Sequence, residues 1–163
     1  LGRRLMGQLP TVDIAGHTFY VDITMDMLRP KDDFASNGIV FRQIDHYYDD
    51  DKEAYVIPYN PKKHEFQELD YENITSIPKD LIVISFPHEI VLDPVGFNRK
   101  GGWDETDGLK LKNIKSHFEA KIIDWKETGI EQTIKENIKK QQQSKQADES
   151  RKTGQRQRRG PKL

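Results

Sequence analysis

Glycines beside cationic side chains can hold an anion, and Gly96-Phe97-Asn98-Arg99-Lys100-Gly101-Gly102-Trp103 has that pattern. Glycine lets backbone N–H groups approach a phosphate or carboxylate closely, while Arg99 and Lys100 supply charge. Phe97, Arg99, Lys100, Gly101, Gly102 and Trp103 are therefore the candidate ligand-binding residues. The stretch departs from a phosphate-binding P-loop, because Gly101 is followed by Gly102 and Trp103 where that loop has lysine and a hydroxyl residue. A second reading makes it a long connection pinned on the core by Phe97 and Trp103.

Other constellations point less clearly to chemistry. Asp45-His46-Tyr47-Tyr48-Asp49-Asp50-Asp51 offers oxygen ligands suited to Mg²⁺ or Ca²⁺. Its spacing lacks the glycine and terminal glutamate of an EF-hand, so a solvated acidic loop and no metal is the expectation. His17, His46, His64, His88 and His117 stand singly, without an HExxH pair or a Gly-x-Ser-x-Gly elbow, and no catalytic residue or cofactor is assigned. The absence of cysteine excludes disulfides, thiolate metal sites and a thiol nucleophile.

Charge is divided unevenly along the chain. Residues 141–163 hold seven basic and two acidic side chains, a net of +5, which leaves nineteen basic against twenty-five acidic, or −6, for residues 1–140. Arg151, Lys152, Arg156, Arg158, Arg159 and Lys162 form the candidate nucleic-acid-binding set, able to neutralise phosphates by counterion release. With no aromatic residue among them to stack on bases, such contact is weak and sequence-blind. The alternative is a solubilising terminus. No run approaches the ~20 apolar residues of a membrane span, so a soluble, cytoplasmic protein without membrane contact is expected.

The elements that must position these groups read as mainly β. Leu81-Ile82-Val83-Ile84-Ser85-Phe86, between Pro78 and Pro87, is the densest apolar run. Its β-branched residues and flanking prolines favour a strand buried on both faces, with a short buried helix as the alternative. Residues 9–14 and 17–24 predict a hairpin around Ala15-Gly16, 38–44 a strand, and 53–59 with 64–69 a second hairpin across Asn60-Pro61-Lys62-Lys63. Pro58 has no N–H to donate, which predicts a sheet edge for its strand. Residues 88–93 are expected as an antiparallel neighbour of the apolar run, 96–108 as irregular, and 117–123 as the last strand. Thr128 and Glu131 match a capping box ahead of Ile130, Ile134 and Ile138, which predicts a helix over about 129–140. With 34% hydrophobic and 33% charged residues, the chain needs its core concentrated before residue 141. Met6 stands inside the chain, so residues 1–5 are set aside from the fold and 1–8 are expected to be disordered. The expected fold is thus α+β: a small antiparallel sheet or partly open barrel over 9–140 ending in one helix, then a disordered basic tail over 141–163.

Leu9 to Asp22, followed by Leu28-Arg29-Pro30-Lys31-Asp32-Asp33, resembles short uncharacterised proteins carried by mobile elements of gut Bacteroidetes. The resemblance implies a cytoplasmic accessory protein near conjugation or mobilisation machinery and brings no catalytic motif. The function expected is a non-enzymatic interaction module that binds a protein partner not identified by the sequence, with nonspecific nucleic-acid contact through the tail. The alternative is a small enzyme or anion- or nucleotide-binding protein using 96–103.

Overall fold

The computed structural model describes residues 1–109 and 114–158, with 147–158 described by their backbone alone. The chain forms two compact units, one of Leu1–Glu68 with Pro78–Asp124 and one of Leu69–Ile77 with the chain from Trp125 on. Among the described residues ten strands build two mostly antiparallel sheets, both in the first unit, and neither closes into a barrel.

The first unit begins with a single helical turn, α1 (Gly2–Leu5), and so corrects the expectation of a disordered start. Arg4 is buried there and makes a two-pronged bond to Asp93, Nε to Oδ1 and Nη2 to Oδ2, each at 2.9 Å. Asp93 is wholly inaccessible to solvent. A buried carboxylate without its guanidinium would be strongly unfavourable, so this pair ties the start of the chain to the core.

The first sheet follows from alternation. In β1 (Thr11–Ile14) Val12 and Ile14 point inward, and in β2 (His17–Asp22) Phe19 and Val21 do. Ala15 and Gly16 join them with φ of 49° and 86°, the pair of positive values that a tight hairpin requires. β3 (Met27–Pro30) and the two-residue β4 (Ile39–Val40) extend the meander. The strand expected over 38–44 then stops, because Asp26 captures the chain. Its carbonyl accepts from the Phe41 N–H at 2.9 Å and its carboxylate from the Arg42 N–H at 3.3 Å, opening the turn α2 (Phe41–Ile44).

The second sheet contains β5 (Tyr48–Asp49), β6 (Ala54–Asn60), β7 (Glu65–Phe66) and β8 (Ile82–Pro87). The apolar run is indeed a central strand, paired antiparallel with β6 on one side and with β10 (Lys121–Ile123) on the other. β6 also lies inside the sheet, contrary to the edge expected from Pro58. β5 pairs at Ala54 and Tyr55 and β7 at Tyr59 and Asn60, so Pro58 falls in the gap between them and its missing N–H interrupts neither ladder. The predicted turn at Asn60 is present, with the Asn60 side chain accepting from the Lys62 and Lys63 N–H groups at 3.0 and 3.1 Å.

Two further expectations change. Residues 89–92 form the single turn α3 (Glu89–Leu92) and not a strand, because the His88 side chain accepts from the Ile90 N–H at 3.1 Å and caps it. The stretch expected as irregular from 96 begins inside α4 (Pro94–Lys100), started by Pro94 and by the Asp93 carboxylate accepting from Gly96 N–H at 3.1 Å. A Cβ on Gly96 would lie 2.2 Å from Asp93 Oδ2, so only glycine fits. Residues 117–123 do carry strand, but in two pieces: β9 (His117–Glu119) pairs parallel with β1, and after Ala120 the chain crosses to β10 in the other sheet. Phe118 is buried, whereas Ile122, expected on the same side, is 64% exposed. The inward residues of both sheets form one core with Phe41, Ile44 and Leu92. Each such side chain contributes about 1.5–3 kcal/mol on burial.

In the second unit a turn at Trp125–Thr128 leads through Gly129, at φ 75°, into α5 (Ile130–Arg158). Thr128 Oγ1 accepts from the Ile130 N–H at 3.3 Å, one residue short of the Glu131 N–H that the capping box predicts, because the helix starts at Ile130. Asn137, buried on the helix, donates to the carbonyls of Tyr71 and Ile74 at 2.9 and 2.8 Å and fixes the 69–77 segment to it. The helix runs on through Arg158, past the end expected near residue 140 and into the tail expected to be disordered, since Gln, Lys, Ala, Glu and Arg favour helix and no proline intervenes before Pro161.

Candidate functional site

An open cleft of about 670 Å³ lies in the first unit between β5, β6 and α3. Its walls are Tyr48, Tyr55 and His88, its rim carries Asp45, Asp50 and Glu53, and Ile90 and Val91 close one side. The three rings form a corner. Tyr55 and His88 are nearly parallel, 12° apart with centroids at 6.0 Å, and Tyr48 stands across both at 73° and 82°.

The position of each ring follows from local structure. Tyr48 and Tyr55 face each other in the β5–β6 ladder, and His88 directly follows the neighbouring strand as the cap of α3. That cap role occupies His88 Nδ1 as an acceptor and leaves the proton of the neutral ring on Nε2, 3.9 Å from Glu89 Oε1. The Tyr55 hydroxyl donates to Glu89. Burial first, and then the Glu89 carboxylate, push Tyr55 above the ordinary tyrosine range. At neutral pH it is a proton donor, and its ring is a neutral, electron-rich wall. Among the described residues no Lys or Arg lines the cleft or pairs with Asp45, Asp50 or Glu53. The cleft is therefore an anionic, aromatic concavity.

The candidate anion site is organised differently. Arg99 donates from Nε and Nη2 to Glu105 Oε2 at 2.8 and 2.5 Å, and Lys100 Nζ lies 3.2 Å from Asp26 Oδ1. Phe97 packs between His88 and Trp103, at 5.8 and 6.1 Å. A Cβ at Gly101 would push the Trp103 ring, 2.3 Å away, from its place, and Gly102 takes φ 78°. Phe97 thus touches one wall of the cleft, His88, while the charges of Arg99 and Lys100 are taken up by Glu105 and Asp26, and Trp103 is 56% exposed.

The histidines, separate in sequence, are not all separate in space. His17 and His64 stack on each other. His117 lies 2.7 Å by Nδ1 from Thr11 Oγ1 and 3.2 Å by Nε2 from Asp13 Oδ2, on the exposed face of β1 and β9. No group of three His, Cys, Asp or Glu side chains among the described residues is placed to hold a metal ion. In the tail, the side chains of Arg151, Lys152, Arg156 and Arg158, and the whole of Arg159 and Lys162, lie outside the described residues. No described helix is long and apolar enough to cross a membrane.

No family model, curated protein or solved structure matches the chain.

Of the cleft residues, Asp45, Tyr48 and Asp50 are legible in sequence as an acidic, aromatic loop. Tyr55, His88 and Glu89 are not. Tyr55 alternates with Ile57 and Tyr59 as a core residue would, and nothing in the order of residues shows that its hydroxyl end reaches the mouth of a cleft.

Proposed function

We propose that the protein is a non-enzymatic interaction module whose acidic, tyrosine-walled cleft takes a basic segment of a protein partner. The observation that carries this is the set of carboxylates Asp45, Asp50, Glu53 and Glu89 around Tyr48, Tyr55 and His88, with no cation among the lining residues. A lysine or arginine side chain entering the corner gains charge attraction from the rim and a cation–π contact of ~0.5–2 kcal/mol from a tyrosine face. The rival reading, an anion or nucleotide held at 96–103, is less well supported because both cations there are already bonded to carboxylates. A cytoplasmic setting near mobile-element machinery, and auxiliary nucleic-acid contact by the basic tail, belong to the same proposal.

Calorimetric titration of the full chain with a Lys/Arg-rich peptide and a Glu-rich peptide of equal length tests it. Only the basic peptide is expected to bind, more weakly as salt rises. Asp50→Asn with Glu53→Gln is expected to weaken it about tenfold, the size of two partly exposed ion pairs. Equal binding of both peptides, or an unchanged affinity in the double variant, overturns the reading.

A further inference from the structure

His17, opening β2, and His64, just ahead of β7, come from different sheets and stack with centroids 3.8 Å apart and planes 11° from parallel. Each has one nitrogen engaged. His17 Nε2 donates to the Lys31 carbonyl at 2.9 Å, and His64 Nδ1 lies 2.7 Å from Asp33 Oδ2. Both partners belong to the loop between β3 and β4. The same loop is tied again by Ser36 Oγ donating to the His64 carbonyl at 2.6 Å and by the Asn37 N–H donating to Glu65 Oε2 at 2.9 Å. Yet Phe34, at its centre, is 99% exposed. A polar clasp thus holds still a loop whose large apolar side chain touches almost nothing. An ordered loop presenting one exposed aromatic loses little conformational freedom when a partner covers that ring.

The clasp has one counter-charge for two rings. A proton on the pair is balanced by Asp33, which the hydrogen bond from His64 holds below the usual carboxylate range and which is therefore ionised throughout mild acid. A second proton places two like charges face to face at a separation where Coulomb repulsion in a partly buried setting is large. The other charged or titratable groups around the pair do not relieve this. Lys31 adds positive charge beside its carbonyl, Glu65 is bonded to the Asn37 N–H, Asp32 is exposed with no bond to either ring, and the buried Tyr59 hydroxyl is held neutral by burial and then by Asp33. Among the described residues no carboxylate bonds to His17. Imidazole is the side chain that changes charge between about pH 5 and 8.

We propose that His17, His64 and Asp33 form a proton-operated latch: with at most one ring charged it pins the 31–38 loop and presents Phe34, and with both charged it releases the loop. The output is release of the 31–38 loop and with it of Phe34 from a fixed position.

Hydrogen exchange of the full-length protein tests this at the Asn37 and Gly38 amides, both bonded in the pinned state. Corrected for intrinsic rates, their protection is expected to fall about tenfold or more between about pH 7.5 and 5. In His17→Phe, which keeps a ring but cannot be charged, it is expected to stay level. Level protection in the native protein, or the same fall in His17→Phe, overturns the proposal. Should that variant not fold, the ring-carbon NMR titration of the native protein decides. Interdependent curves for His17 and His64 support the latch, and two independent one-proton curves refute it.

Discussion

The segment from His88 to Trp103 treats charge in opposite ways at its two ends. Toward Trp103, each cation has a carboxylate: Arg99 with Glu105 and Lys100 with Asp26. Toward His88, carboxylates gather around a cleft with no described cation beside them. Between the two lies Asp93, paired in full burial with Arg4. The glycines first suggested a site at the Trp103 end, where charge is already compensated and serves the local structure. The uncompensated end is the one with electrostatic attraction left for something else.

Three measurements sharpen that contrast. The largest effect is expected in the middle. Asp93→Ala strands the Arg4 guanidinium in the core and should lower unfolding free energy by about 3–5 kcal/mol in urea denaturation. A loss within the range of a surface substitution would mean that Arg4 swings into water and that α1 is not anchored.

Next comes the alkaline limit. Tyr55 and Tyr59 are both raised above the ordinary value of 10.0, in each case chiefly by burial. Above that value the unfolded chain releases protons that the folded chain retains, so stability is fully present below pH 10 and falls as pH rises past it. Absorbance titration at the phenolate band should show two of the six tyrosines ionising only as circular dichroism reports unfolding. All six titrating together in the folded protein would mean that Tyr55 and Tyr59 are not held protonated by burial.

The smallest effect belongs to the compensated end. Arg99→Ala breaks an exposed pair and should cost no more than about 1 kcal/mol, with basic-peptide binding unchanged. A larger loss of binding would join the two ends into one site.

Strong local signals were legible in the sequence. The hairpin at Ala15-Gly16, the turn at Asn60 and the central strand at 82–87 each follow from turn chemistry or β-branched density, and each is present. What failed was decided by single hydrogen-bonding residues that the hydropathy pattern does not reveal, some local and some distant. Asp26 ended a strand at Phe41, His88 turned residues 89–92 into a helical turn, and Arg4 drew a terminus into the core from 89 residues away. The cleft was half legible for the same reason. Its acidic loop is contiguous, while Tyr55 and His88 reach it through strand pairing that residue order does not encode locally.

The parallel pairing of β9 with β1 also governs the order in which the molecule is made. Thr11 meets His117 across 106 residues, so the β1–β3 meander can form while its outer edge has no partner. On a ribosome adding about 5–20 residues per second, that edge stays open for several seconds. During that time its free N–H and C=O groups can template pairing with another chain. The β1 edge is covered by β9, one of the last segments of the first unit to emerge, and the step from β9 to β10 then covers the β8 edge of the second sheet as well. One short segment late in the first unit therefore covers an edge strand of each sheet.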